Sequence, residues 1–248
     1  MSARFEGVVA LVTGAGSGIG RAVAQRLVDE GGLVFAVDIA SVSLEQTCAH
    51  TPGRITPLVA DLADPDACVA AFAACVERFG RLDVLGNVAG IYLASHTTET
   101  TREQYRRVMA VNLDAPFFLA QAALPHLVAS SGNIVSIASN SGVHGVPYSA
   151  AYSMTKGGVI ALTRSLAVEL IKTPVRVNAI APAGVRTNIA SGTTFPSGLD
   201  PDLLKRMGGM RGLAEPEEVA ALFAFLASSE ARSITGAVYT IDNGLTVS

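Results

Sequence analysis

Tyr152 and Lys156 stand four residues apart in the stretch SAAYSMTKGGVIAL, 149–162. The surrounding alanines, glycines and aliphatics read as a helix, and positions i and i+4 share a helix face. A phenol and an ammonium one turn apart could do acid–base work. A phenol titrates near ~10 in water, so serving near neutral pH requires a shift of about 3 units, or about 4 kcal/mol. One ammonium at about 4 Å supplies roughly that in an intermediate dielectric. Y-x-x-x-K alone also occurs as plain packing. Ser139, thirteen residues before the tyrosine, ends a strand-like run and adds a hydroxyl that could reach the same substrate oxygen. Asn112 lies inside a helical pattern. A buried amide there is costly unless satisfied, and a structural hydrogen bond would also account for it.

A second group of residues could hold a phosphate-bearing ligand. LVTGAGSGIGRAVAQRL sets Gly14, Gly16, Gly18 and Gly20 between a strand and a helix. The spacing is not the strict G-x-G-x-x-G, but the physics is shared. Bare backbone lets a pyrophosphate approach, and unpaired N–H groups at a helix start attract its charge. Asp38 ends the next strand, roughly 20 residues further on. A carboxylate there can accept both ribose hydroxyls. It would repel a 2′-phosphate by about 4 kcal/mol at ~4 Å and intermediate dielectric. Ser17 occupies a place where a basic residue would have received that phosphate. The expectation is NAD rather than NADP.

The elements that must position these groups alternate. Near-continuous apolar runs at 8–13, 33–38, 55–60, 82–89, 132–139, 175–182 and 237–242 read as strands covered on both faces. Helical patterns lie between them at about 18–30, 43–50, 64–79, 101–128, 149–171 and 215–228. Asp64 with Pro65 opens one helix, EPEEVA opens another near Glu215, and Gly31, Gly32 and Gly80 close helices. Such alternation implies an α/β fold, a doubly wound seven-stranded parallel sheet with helices on both faces. One domain over 1–248 is expected. The irregular stretch 183–214 is too long for an ordinary loop, and a substrate lid is expected at about 185–212.

Composition narrows the function further. The chain is 50% hydrophobic, only 16% charged and carries a net charge of −3. No basic surplus points to nucleic acid. No apolar run was expected to span a bilayer, and the first residues do not read as a signal peptide. Three cysteines, Cys48, Cys68 and Cys75, without C-x-x-C suggest reduced thiols in a cytoplasmic protein. The four histidines lack ligand spacing, so no metal is expected.

Taken together, T13-G14-A15-G16-S17-G18-I19-G20, D61-L62, N87-V88-A89-G90, N112, S139, Y152-S153-M154-T155-K156, P182-A183-G184 with V185 and T187, and the ending ITGAVYTIDNG resemble the short-chain dehydrogenase/reductase family in its compact form. The resemblance covers essentially the whole chain. Two departures stand out: where the family often has Asn-Asn-Ala-Gly this chain has Gly86-Asn87-Val88-Ala89-Gly90, which shifts that element slightly, and Ala183 separates Pro182 from Gly184.

The resemblance implies an enzyme that interconverts a secondary alcohol and a ketone by hydride transfer, with NAD as cofactor. Tyr152 would be the acid/base, Lys156 would bind the nicotinamide ribose and lower the phenol's pKa, Ser139 would polarise the carbonyl, and Asn112 would hold a relay water. Gly14, Ser17, Gly18, Ile19, Asp38, Asp61, Leu62, Asn87, Ala89, Gly90, Pro182, Val185 and Thr187 would contact the cofactor together with Tyr152 and Lys156. Asp61 would accept from the adenine amino group. A homotetramer and a small alcohol or ketone partner are implied.

The alternatives are a 3-oxoacyl-carrier-protein reductase and, from another class, a nucleotide-sensing module without catalysis. The pocket would be lined by 140–148, by Ile91 to Ala94 and by the lid. His96, His144, Tyr148 and Arg211 are open between substrate contact and surface loop.

Overall fold

The computed structural model describes residues 3–191, 194–207 and 211–247. The seven apolar runs form strands: β1 Val9–Thr13, β2 Leu33–Asp38, β3 Ile55–Val59, β4 Val84–Asn87, β5 Asn133–Ile137, β6 Arg176–Pro182 and β7 Val238–Ile241. They make one sheet in the order β3-β2-β1-β4-β5-β6-β7, and every pairing is parallel. The chain runs outward from β1 to β3, then returns to place β4 on the other side of β1. The carboxyl ends of β1 and β4 therefore flank a switch point, where connections leave in opposite directions and a crevice must open.

The helices are α1 Gly18–Asp29, α2 Ser41–Cys48, α3 Pro65–Phe79, α4 Arg102–Met109, α5 Ala115–Ser130, α6 Ala150–Glu169, α7 Asn188–Ser191, α8 Pro201–Leu204 and α9 Pro216–Ala227. Alternate strand residues feed two cores. Val12, Val84 and Val135 pack with Val23, Leu27 and Phe223 from α1 and α9. Leu11, Leu85 and Ile134 pack on the other face with Cys68, Cys75, Leu119 and Leu127 from α3 and α5. The doubly wound Rossmann architecture follows from this two-sided burial.

Local signals act as their chemistry demands. The Asp64 carboxylate accepts from the Asp66 amide at 2.9 Å, Pro65 fills the first helical position, and Gly80 ends α3 at φ 72°. Glu215 and Glu218 close a reciprocal cap on α9. All three cysteines are free. Burial pushes the Cys68 thiol up to about 11 and the Cys75 thiol to about 12, which suits inert packing.

Two differences from the sequence reading matter for the site. The helix expected at 101–128 is α4 and α5 joined by a π-helical turn, Ala110–Asp114, which carries Asn112. The whole stretch Arg102–Ser130 is long and apolar enough by composition to cross a membrane, contrary to expectation, although 44% of its apolar 18-residue window is buried inside the protein. The irregular segment holds α7, α8 and a short 3-10 turn, and is tied to its base by a bridge between Val185 and Ala214. Parts of the expected lid, 192–193 and 208–210, lie outside the described residues.

Candidate active site

The glycine turn is shaped by contacts that admit no side chain. Gly14 has φ 65°, and a Cβ built on it would lie 2.8 Å from the Ala89 Cα. One on Gly20 would lie 1.9 Å from the Gly14 carbonyl oxygen. These two glycines let β1, α1 and the end of β4 close on one another. Thr13 clips the same junction: its hydroxyl donates to the Gly86 carbonyl at 3.3 Å and accepts from the Val88 and Ala89 amides at 3.0 Å. Asp38, at the end of β2, faces the turn. Its Oδ2 accepts from the Gly16 amide at 2.8 Å and its Oδ1 from the Ala40 amide at 2.9 Å. The carboxylate is thus aimed before any ligand arrives.

This turn opens on a cleft of about 550 Å³. Gly14, Ser17, Gly18, Ile19, Asp38, Asp61, Leu62, Ala89, Gly90, Pro182, Val185 and Thr187 line it, and so do Ser139, Tyr152 and Lys156. Asn87 stands back from it, buried in β4, where its amide donates to the Ser136 hydroxyl at 3.4 Å. Residues 140–148, expected in the pocket wall, do not line the cleft. Gly142 is instead pressed on α6, where an added Cβ would sit 2.6 Å from the Lys156 carbonyl carbon. Ile91, Tyr92, Asn188 and Ile189 line the cleft as well, with Tyr92 packed against the Tyr152 ring. His144 and Arg211 do not line it, and Arg211 is exposed.

The reactive groups sit at the carboxyl ends of β4 and β5 against α6. Tyr152 and Lys156 are both buried. The Lys156 ammonium donates to the Ile137 carbonyl at 2.8 Å and lies 5.9 Å from the Tyr152 ring centre. Burial lowers the Lys156 pKa to about 8. Burial also pushes the Tyr152 phenol up to about 12, while the Ser139 hydroxyl pulls it the other way. Burial of the phenol thus opposes the ionisation that a neighbouring ammonium and an oxidised nicotinamide would favour. The Ser139 hydroxyl accepts from the Ser141 amide and donates to the Asn140 side chain, both at 3.1 Å, which fixes it at the mouth of β5.

Asn112 is fully buried in the π turn. Its Oδ1 accepts from the Ile91 amide at 2.8 Å, and its Nδ2 donates to the Ile91 carbonyl at 2.9 Å and the Thr155 hydroxyl at 3.2 Å. A Cβ on Gly90 would lie 3.3 Å from Asn112 Oδ1 and 3.4 Å from Lys156 Nζ, so all three meet at one point. The extra residue of the π turn turns this amide inward.

Residues 14–246 match the family profile described as Enoyl-(Acyl carrier protein) reductase. The chain belongs to the short-chain dehydrogenase/reductase family. Among its relatives, a meso-2,3-butanediol dehydrogenase of Serratia marcescens is 39% identical over 99% of this chain and 97% of its own. A 3-oxoacyl-[acyl-carrier-protein] reductase of Thermotoga maritima is 36% identical over 98% of this chain and 100% of its own. A 3-ketoacyl-(acyl-carrier-protein) reductase from Brucella melitensis, solved in complex with NADH, superposes with a TM-score of 0.88 at 30% identity, covering 97% of this chain and 99% of that one. This short-chain dehydrogenase/reductase is an oxidoreductase, and its fold is built to take a nicotinamide cofactor.

The fit of that cofactor rests on this chain's own atoms. The bare turn at Gly14, Gly16 and Gly18 and the pre-aimed Asp38 form a cradle for a pyrophosphate and a ribose diol. Two participants carry no signal of their own in the sequence, and a third shows only part of its role. Arg107 lines the cleft and pairs with Asp61 at 2.8 Å, which holds that carboxyl below its usual range. It sits among several arginines of α4, so its type carried no signal. Arg21 reaches the turn, but its guanidinium donates to the Gly16 and Ser43 carbonyls, Thr47 and Gln46. Thr13 was read as part of a motif, yet its role as a clip needs the β4 end beside it.

Proposed function

We propose that the protein is an NAD-dependent oxidoreductase that interconverts a small secondary alcohol and its ketone. Tyr152 acts as acid/base, with Ser139 holding the reacting oxygen. The observation that carries this reading is the convergence of the Tyr152 and Ser139 hydroxyls with Lys156 on the same cleft that the glycine turn opens. The nicotinamide, when bound, supplies hydride acceptance and donation. The chain's part is the proton: Lys156 and an oxidised nicotinamide, when bound, would together put positive charge beside the Tyr152 phenol, and the phenolate so favoured takes the proton from the alcohol during oxidation and returns it during reduction. Lys156 and Asn112, which meet at Gly90, support that exchange from behind.

Asp38 supports NAD over NADP. Its carboxylate is held by two amides beside the ribose end of the cradle, and the nearest guanidinium, Arg21, is engaged elsewhere. The Thermotoga maritima and Brucella melitensis relatives favour a second reading, reduction of a 3-oxoacyl thioester. A sensing module without catalysis is disfavoured, because Asn112, Ser139, Tyr152 and Lys156 are all present and close-packed.

Further parts of the reading are a cytoplasmic location, supported by three free cysteines, and a homotetramer. Val168 in the last turn of α6 and Ile171 just past its end are 72% and 65% exposed, with Phe117 and Val128 of α5 also open to solvent. The segment at about 185–212 acts as the lid, and its part from 194 to 204 meets the loops beneath it. His96 Nε2 meets the Ser197 carbonyl at 2.9 Å, and the Asp200 amide donates to the Tyr148 hydroxyl at 2.9 Å.

The test is NADH fluorescence on mixing the enzyme and NAD with a panel of secondary alcohols, alongside acetoacetyl thioester with NADH. Turnover of alcohols that falls about 10²–10⁴-fold in Tyr152→Phe, with NADH still bound, is expected. Retention of most of the rate refutes the acid–base assignment.

A further inference from the structure

We propose that Arg107 is a positioning residue for the base of the cofactor: it fixes the Asp61 carboxylate as an acceptor, so that a purine with a 6-amino group is selected over one with a 6-oxo group. The inference rests on the nicotinamide cofactor of the reading above and adds how this chain chooses the far base. The cofactor must straddle the switch point beside β1. Ser139 follows β5, and Tyr152 and Lys156 lie on α6, so the reacting half lies on that side. Asp38 ends β2, so the other half runs over the ends of β2 and β3. Ile39, Ala60, Asp61 and Leu62 follow those strands and line the cleft, and Arg107 of α4 joins them.

Two donors from different elements hold Asp61. Its Oδ1 accepts from the Ala63 amide at 3.0 Å, and its Oδ2 accepts from Arg107 Nη1 at 2.8 Å. With a bond on each oxygen, the carboxylate cannot swing without breaking one, and each oxygen keeps a lone pair for a further donor. Both bonds favour the ionised form, and Arg107 is the larger cause. An ionised carboxylate accepts and never donates. It therefore takes an N–H of a 6-amino group and opposes a 6-oxo oxygen. The fold itself gains little from this pair. Its side chains are 42% and 46% exposed, and exposed ion pairs add little to stability. What the pair fixes is an acceptor on the wall of the cleft.

The experiment titrates NADH and deamino-NADH, which carries hypoxanthine in place of adenine, by fluorescence into the wild type, Arg107→Ala and Arg107→Lys. The readout is the ratio of the two dissociation constants. The wild type is expected to bind NADH about tenfold more tightly. Arg107→Ala should lower that ratio about threefold or more, by weakening NADH while leaving deamino-NADH nearly unchanged, since Ala63 still holds one oxygen. Arg107→Lys keeps a cation beside Asp61 and should retain most of the ratio. A wild type that binds both equally overturns the proposal. So do affinities that fall together in Arg107→Ala, as a purely structural role would give, and a loss in Arg107→Lys as full as in Arg107→Ala. In those cases alcohol turnover with NAD leaves the oxidoreductase reading standing. The expected ratios in an enzyme that turns over no alcohol or ketone overturn that reading alone. A wild type that binds neither dinucleotide overturns both.

Discussion

Lys156 shows how a single residue can be costly to the fold and useful to the site. It is wholly enclosed, and burial lowers its pKa from 10.5 to about 8. The unfolded chain therefore holds a proton between about pH 8 and 10.5 that the folded chain has released. Stability rises with pH wherever the unfolded state binds more protons, so the penalty is full below pH 8 and relieved toward 10.5. By that difference it amounts to about 3 kcal/mol. Lys156→Met is expected to be more stable than wild type at pH 7, with the gap closing by pH 10, in urea midpoints measured across that range. A gap independent of pH contradicts a buried titrating amine. Tyr152 works in the opposite sense. Its pKa is raised from 10.0 to about 12, so its contribution is present below pH 10 and lost as pH climbs through 12.

At Asp38 the expectation is simpler. Asp38→Ala removes the charge opposed to a 2′-phosphate, and the ratio of kcat/KM for NADP over NAD should rise by about 10²-fold or more. A wild type that already prefers NADP would refute the charge argument. Both Asp38 and the Tyr152–Lys156 pair were legible from type and spacing. The direction of the phenol's pKa was not, because spacing gives proximity along a helix but not depth of burial.

Among the elements, the junction of β1, α1 and β4 carries the cofactor cradle. Gly14→Ala would push a methyl to 2.8 Å from the Ala89 Cα at a φ that disfavours side chains. NADH binding measured by fluorescence titration should fall about tenfold or more, and unchanged affinity would refute the close-approach account. The proposed lid makes a parallel case. Tyr148 adopts φ 58°, unusual for a tyrosine, and stacks edge-on with His96 at 5.1 Å while its hydroxyl holds Asp200. Tyr148→Phe should raise KM for the alcohol more than it lowers kcat, and steady-state kinetics will show whether the split has that sign. The glycine turn could be read from sequence because glycine spacing reports backbone demands directly. The latch could not, since His96, Tyr148 and Asp200 lie in three separate loops.

For the molecule as a whole, open apolar side chains gather on α5 and the end of α6, and β7 sits half-exposed at the sheet edge. If these faces meet other copies, light scattering will give a tetramer mass, and Val168→Glu with Ile171→Glu should shift it toward smaller species. A monomeric wild type at micromolar concentration would refute the assembly.

Alternating apolar runs and glycine-marked helix starts determined the doubly wound parallel fold, because two-sided burial and backbone close approach leave their marks locally. Residue type and periodicity likewise marked the Tyr152, Lys156, Ser139 and Asn112 set. Only the tertiary structure decided that Asn112 sits on a π turn, that Arg107 pairs with Asp61, that Asn87 stands back from the cleft, and that Tyr92 rather than 140–148 lines it. Those facts depend on which loops the sheet order brings together at the carboxyl ends of its strands. Contacts between distant segments have no period in the chain from which to be read.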